Sequence, residues 1–288
     1  MLNFIVNSRS GKGLGNRVLK ILCDYCYEHN LPFSAHITGS PGHATDIARL
    51  LCSGGAETII AVGGDGTFNE VLCGIDDFSK TALGFIPAGR GNDYARAANL
   101  SLKPLVALKA ILKGERVSAD YLLVSGKRCL NVAGSGLDVA VLKRAYGKNG
   151  KITYLKSLLY CLKNFTPYKF NIEVDGVMSE HECIMVGACN GVSIGAGIKI
   201  SPLSNVMDGK MNAVVIRVPE NNKLLSALMV TQKGKHLGKS YVTHIECEHM
   251  RAAPVEGAHY PIQIDGEIFE DLVLDCRIIK GGMRTFIV

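Results

Sequence analysis

Apolar residues follow two different rhythms along this chain, and the change falls near residue 123. In the first part, Asn3–Val6, Phe33–Thr38, Thr58–Val62 and Leu83–Ile86 are short apolar or alternating runs, each closed by a glycine- or proline-containing turn. Runs of that length read as strands. Between them, apolar positions recur at helical spacing. Val18, Leu19, Leu22 and Cys26 mark a helix reaching about His29, and His43–Cys52 and Thr67–Cys73 mark two more. Strand, loop and helix in repetition predict a mainly parallel sheet with flanking helices. Ligands of such sheets sit beyond the carboxyl ends of the strands.

From about Asp120 the runs change character. Tyr121–Val124, Cys129–Ala133, Phe170–Val174, Cys183–Cys189, Met211–Ile216, Tyr241–Cys247, Ile262–Ile264 and Leu272–Ile279 read as strands. Asp175-Gly176 between two of them is a hairpin signal. Ile152–Phe165 and Asn222–Lys233 read as helices. In the first of these, Ile152, Leu155, Leu159 and Leu162 predict the apolar face, with Lys156 and Lys163 on another. The expected organisation is an α/β N-terminal domain, 1–123, and a mostly antiparallel, β-rich C-terminal domain, 124–288. Thr285–Val288 is a candidate to return to the first domain.

Composition narrows this little. Of the 288 residues, 47% are hydrophobic and 20% charged, an ordinary globular balance. The formal charge of +6 is unevenly placed. Between Val141 and Lys169 stand Lys143, Arg144, Lys148, Lys151, Lys156, Lys163 and Lys169 with no carboxylate, whereas the chain from Tyr241 onward is acidic. A solvated face explains that stretch; so does docking on anionic lipid. Nucleic acid is not expected, because no aromatic interleaving or binding module accompanies the charge. No apolar run approaches the roughly 20 residues that span a bilayer. The ten cysteines are scattered, and the opening segment lacks a signal-peptide pattern, so reduced thiols in the cytoplasm are expected. Cys23 and Cys26 fall at core spacing in a helix. His244, Cys247 and His249 lack the second ligand pair of a zinc site.

The chemistry lies in the loops. Gly63-Gly64-Asp65-Gly66-Thr67 follows a strand and opens a helix, which lets backbone N–H groups approach phosphate oxygens. Asp65 would repel phosphate unless a cation lay between them, which suggests Mg²⁺. A tight turn with Asp65 as a helix cap explains the loop alone equally well. Pro87-Ala88-Gly89-Arg90-Gly91-Asn92-Asp93 follows the next strand, and Asn7-Ser8-Arg9-Ser10-Gly11 the first. The nucleotide triphosphatase spacing of glycine, lysine and hydroxyl is absent.

Together these segments resemble the diacylglycerol kinase catalytic family, its soluble bacterial members in particular, over essentially the whole chain. The resemblance implies an NAD kinase/diacylglycerol kinase-like fold and a kinase using ATP and Mg²⁺. Its nucleotide contacts would be Asn7, Ser8, Arg9, Ser10 and Gly11, Thr38 of the next loop, the signature Gly64, Asp65, Gly66, Thr67, Phe68, Asn69 and Glu70, and Arg90. Asp65, Asp93, Asp120 and Asp265 would organise the active-site metal and its water, and Glu267 would be the catalytic base. A structural Mg²⁺ would be held by Asp208 with Asn205 and Lys210 flanking it. Two positions depart from the family pattern: Arg90 stands where a small Thr or Ser is usual, and Asn212 where many members have Asp.

The implied reaction carries the γ-phosphoryl of ATP to a lipid hydroxyl, diacylglycerol first. A sphingoid, ceramide, undecaprenol or phosphatidylglycerol-like acceptor, or a catalytically idle lipid- or nucleotide-binding regulator, are the competing readings. NAD kinase suits Gly91-Asn92-Asp93 and Asp265-Gly266-Glu267 less well. The expected partners are a lipid substrate, an anionic surface at the inner membrane face, and a second copy in a homodimer.

Overall fold

A computed structural model describes residues 1–145, 151–195, 197–219 and 224–286. The chain forms two units: Met1–Tyr121 joined by the chain from Lys280 onward, and Leu122–Ile279.

The first unit runs β1 (Leu2–Val6), α1 (Ser10–Glu28), β2 (Phe33–Ile37), α2 (His43–Ser53), β3 (Thr58–Gly63), α3 (Asp65–Gly74), β4 (Ala82–Pro87), α4 (Asp93–Ala97), α5 (Pro104–Lys113) and β5 (Arg116–Val124), which leads out of it. Strands β2, β1, β3 and β4 lie side by side in that order, all parallel. Helices cover both faces, so these strands read as continuous apolar runs rather than alternating ones. Phe4, Val6, Ile60 and Val62 pack with Val18 and Leu22 of α1 and Leu108 of α5. On the opposite face Phe68 of α3 stacks on Phe85 at 4.4 Å. The chain steps from β1 out to β2, then returns across β1 to β3. The order reverses between β1 and β3, so their loops flank the switch point where such sheets bind ligands.

The second unit holds β6 (Lys127–Cys129), β7 (Val132–Gly136), α6 (Leu137–Ala145), α7 (Lys151–Asn164), β8 (Tyr168–Val174), β9 (Val177–Cys189), β10 (Met211–Arg217), α8 (Leu224–Gln232), β11 (Val242–Cys247), β12 (His249–Pro254), β13 (Ile262–Ile264), β14 (Glu267–Phe269) and β15 (Leu274–Phe286). Its described pairings are antiparallel. The first half of β9 pairs with β8, and its second half with β7 and β10. The end of β15 reaches the first unit, where Thr285 pairs in parallel with Leu83 of β4.

Two expectations are revised. Cys129–Ala133 is two strands, not one. The N–H groups of Leu130, Asn131 and Val132 turn to the carboxylate of Asp265, at 2.6, 2.9 and 3.3 Å, and the strand breaks there. The buried stripe of α7 is Leu158, Cys161 and Leu162, with Phe165 beside it, and Leu159 is 44% exposed. A leucine-rich helix offers two stripes at helical spacing, and packing against α6 selects one. Lys148 and Asn222 lie outside the described residues, as do the side chains of Lys151, Ile152 and Leu155. At the opening of α1 the first glycine loop continues: Gly11, Lys12 and Gly13 take left-handed conformations before the regular turns begin.

Asp265 is therefore a fastening between the β13–β14 turn and the β6–β7 segment. Its φ of 47° is one that Asn tolerates and Ala resists. Asp265→Asn is expected to cost about 1–2 kcal/mol, and Asp265→Ala about 3 kcal/mol, because charge-assisted bonds to buried N–H groups are lost. Urea denaturation followed by circular dichroism measures both. A shift in midpoint worth under about 0.5 kcal/mol for Asp265→Ala would show that water replaces the carboxylate.

Candidate active site

The loops after β1, β3 and β4 converge through backbone contacts. The N–H of Ala88 donates to the Gly63 carbonyl at 2.6 Å, and the Ser10 hydroxyl to the Ala88 carbonyl at 3.0 Å. A Cβ added at Gly89 would overlap the Cα of Gly64, and one at Gly11 would come within 2.5 Å of the Ala88 oxygen. Asn7 accepts the Arg9 N–H on its side-chain oxygen at 3.2 Å. Its amide donates to the Thr67 hydroxyl at 3.2 Å, tying the first loop to the third helix. Asn92, in a left-handed conformation, closes its own loop by exchanging two hydrogen bonds with Gly89.

Asn7, Arg9, Thr38, Thr67 and Glu70 line one open polar cleft of about 210 Å³, together with Gly39, Ser40 and Pro41. Five residues expected at a nucleotide are thus gathered in one place. Glu70 has a second duty: its carboxylate accepts the Ala44 N–H at 3.2 Å, at the start of α2. An acceptor there complements the helix end. Phe68 does not reach the cleft; it is buried between Phe85 and Tyr94. Asn69 accepts the Cys73 thiol at 3.3 Å. Ser8 is half-buried and Arg90 is exposed on its loop.

Asp65 opens α3, and its Oδ1 accepts the Tyr94 N–H at 3.0 Å. That bond seats α4 against α3. Asp93 and Asp120 are buried in the same unit, and Asp120 accepts the Gly281 N–H at 2.6 Å. Tyr94 went unnoticed in the sequence. It is fully buried, and burial first, then the Asp120 carboxylate, push its hydroxyl well up from the usual tyrosine range. An aromatic directly after Asn92-Asp93 was the only signal for it.

In the second unit, Glu267 is exposed at the start of β14, while Asp265 is engaged by the three N–H groups described above. The Gly266 N–H donates to Gln263 at 2.8 Å. In the loop 202–210, Asp208 accepts the Lys210 N–H at 3.0 Å, Asn205 accepts the Met207 N–H at 3.1 Å, and the Lys210 ammonium pairs with Glu246. Asn212 turns its amide to the Ser204 hydroxyl at 3.0 Å. Among the described residues no three His, Cys, Asp or Glu side chains cluster as a metal cage.

The comparisons with known proteins follow the same division. Residues 1–124 match the diacylglycerol kinase catalytic domain, and residues 131–286 the YegS C-terminal NAD kinase beta sandwich-like domain. The chain is 30% identical over 286 residues to "Probable lipid kinase YegS" of Salmonella typhimurium, covering 96% of this chain and 93% of that one. It is 25% identical over 269 residues to the diacylglycerol kinase of Bacillus subtilis, covering 91% and 88%. A crystal structure of a diacylglycerol kinase from Bacillus anthracis superposes with a TM-score of 0.74 at 19% identity, covering 100% of this chain and 96% of that one, which shows a common fold. By sequence over both units, the chain belongs to the diacylglycerol kinase and YegS family of lipid kinases.

Proposed function

We propose that the chain transfers the γ-phosphoryl group of ATP, with Mg²⁺, to the free hydroxyl of diacylglycerol, giving phosphatidic acid. The observation that carries the reading is Asp65, a carboxylate set among glycines at the carboxyl edge of a parallel sheet, one turn from a polar cleft. Glycine loops hold phosphates through backbone N–H groups, and a bare carboxylate there opposes them unless a cation intervenes. The donor set is all oxygen, which suits a hard cation held largely through water. Asp65 would hold it, with Asp93 and Asp120 organising the water around it, and the bound metal would neutralise charge developing on the phosphates. A second cation is assigned to Asp208, with carbonyl oxygens of Asn205 and Lys210 beside it. Asn7, Arg9, Thr38 and Thr67 would orient the nucleotide. Glu267 would take the proton of the attacking hydroxyl, and Asp265 would hold its hairpin in place. Membership of a lipid kinase family supports a lipid acceptor, and the Bacillus subtilis relative is named for diacylglycerol.

A kinase for such a substrate works at a bilayer, and no described helix is long and apolar enough to cross one. On α7, Lys156, Leu159, Tyr160 and Lys163 share one solvent face; Leu159 is 44% and Tyr160 51% exposed. Cations beside exposed apolar groups suit an interfacial helix. The reading places this face on the anionic inner leaflet, with the enzyme in the cytoplasm as a homodimer. Elsewhere in the basic stretch, Lys143 is paired with Glu270 at 2.8 Å and Arg144 stacks on Tyr160 at 3.5 Å.

Asp65→Asn keeps an acceptor for Tyr94 and removes the charge. The variant is expected to melt like the wild type and to lose turnover roughly 10²–10³-fold. Normal turnover in the folded variant would remove Asp65 from the metal. Glu267→Gln is expected to leave ATP affinity unchanged and to lower turnover roughly 10²–10⁴-fold; a large loss of ATP affinity with little loss of turnover would make Glu267 a binding group instead. Lys156→Glu with Lys163→Glu is expected to weaken binding to anionic vesicles while sparing activity on a short-chain, water-soluble diacylglycerol. Wild-type binding should fall with salt, as the screening length shrinks from about 10 Å at 0.1 M to about 3 Å at 1 M. Equal loss on both substrates would assign the two lysines to the fold.

A further inference from the structure

The polar cleft of the first unit takes one wall from the chain between β2 and α2, where Thr38, Gly39, Ser40 and Pro41 line it. With glycine at 39 and at 42, the latter at a φ of 82°, this segment has little shape of its own. Bonds at its ends and across its middle fix it. At the entry, the Thr38 N–H donates to the Val6 carbonyl of β1 at 2.9 Å. At the exit, the Ala44 N–H donates to the Glu70 carboxylate at 3.2 Å, and the Thr45 hydroxyl to the Glu70 carbonyl at 2.8 Å. Between those anchors the Gly39 N–H donates to Nδ1 of His43 at 2.9 Å, and the His43 N–H to the Ser40 carbonyl at 3.2 Å. His43 thus closes the wall of the cleft from behind.

The bond from Gly39 fixes the state of the imidazole. A backbone N–H only donates, so Nδ1 is the acceptor and the ring is neutral, with its proton on Nε2. A second proton would make Nδ1 a donor facing a donor. On the elements that meet here the charged side chains are Asp65 and Glu70 of α3, Asp46 and Arg49 of α2 itself, and Arg9 in the cleft; β1 carries none. Asp46 and Arg49 pair with each other at 3.4 Å, and Glu70 is engaged by Ala44.

We propose that His43 is a positioning residue for the nucleotide: its neutral imidazole holds Gly39, Ser40 and Pro41 in the shape that receives ATP, and nucleotide affinity falls when the ring gains a proton. The inference rests on the kinase reading, which puts ATP in this cleft. It adds what holds the wall and the pH dependence that follows. Without the bond to Gly39 the loop must be ordered at the moment of binding, and that ordering is the affinity lost. An imidazolium touching the nucleotide would act with the opposite sign, because a cation attracts phosphate. The direction of the pH effect therefore separates a loop support from a phosphate ligand.

The test is binding of a fluorescent N-methylanthraniloyl derivative of ATP with Mg²⁺, measured at about pH 8 and about pH 5, the ends of the range over which histidine changes charge. His43 is exposed, which suits substitution. Asn carries its side-chain oxygen where histidine has Nδ1 and does not titrate, so His43→Asn is the reference at each pH and cancels the titration of the nucleotide itself. The wild type is expected to match His43→Asn at the higher pH and to bind about fivefold more weakly at the lower one, one hydrogen bond's worth. His43→Ala, with no acceptor, is expected to bind about fivefold more weakly than His43→Asn at both. A wild type that tracks His43→Asn at both pH values overturns the proposal. So does a wild type that binds more tightly than His43→Asn at the lower pH, which would make the imidazolium a phosphate ligand. His43→Ala binding like the wild type at the higher pH overturns it as well, and so does His43→Asn binding as weakly as His43→Ala there. The readout needs no turnover. A wild type that binds the analogue and phosphorylates no lipid overturns the kinase reading alone, and one that does not bind it overturns both.

Discussion

Backbone lies against backbone where the loops after β3 and β4 meet, and the candidate site of the first unit depends on that contact. Gly64 and Gly89 touch with no side chain between them, and the Ala88 N–H reaches the Gly63 carbonyl at 2.6 Å. Only this closeness lets Ser10, from the loop after β1, reach the Ala88 carbonyl in turn. The approach also sets where α4 begins, since Asp65 in one loop accepts the Tyr94 N–H just beyond the other. Tyr94 then completes the aromatic packing of Phe68 and Phe85 beneath the loops. Packing below and polar cleft above therefore share one origin, two glycines that place N–H groups within reach of a ligand.

The second unit is fastened by a different device, used twice. Two Asp-Gly turns, at Asp175 and Asp265, place the aspartate in a left-handed conformation with φ of 45° and 47°. In each, the carboxylate turns away from its own hairpin to take up N–H groups of a neighbouring segment. Asp175 binds Glu248 and His249, and Asp265 binds Leu130, Asn131 and Val132. A turn that serves its own strands locally thereby also fixes a contact more than 70 residues away in sequence. Buried backbone donors at strand breaks must be paired, and an ionised acceptor does so strongly.

Local pattern carried the parallel sheet, since strands covered on both faces read as apolar runs bounded by turns. The glycine loops were legible for the same reason: their composition fits few other uses. What escaped was information held between distant residues. The strand His249–Pro254 contains Arg251 and a terminal proline and has no apolar rhythm, yet pairs with both β8 and β15. The break at Leu130 and Asn131 is invisible until Asp265 arrives from 134 residues away. The stripe of α7 was misassigned because Leu158 and Leu159 are chemically alike, and only contact with α6 tells them apart. Among site residues, Glu70 reads as part of a signature, but its bond to Ala44 at the head of α2 is a tertiary fact.

The first unit is built from the two ends of the chain, with the whole second unit inserted between Tyr121 and Lys280. Thr285 must reach Leu83 to extend the parallel sheet. A ribosome adds about 5–20 residues per second, so strand β4 waits on the order of tens of seconds for that neighbour to be made. During synthesis the second unit can be complete while the first still has an open sheet edge, although its glycine loops emerged long before. Unpaired edges of that kind invite pairing with other chains. The unit that carries the phosphate loops is thus first to be translated and last to be finished.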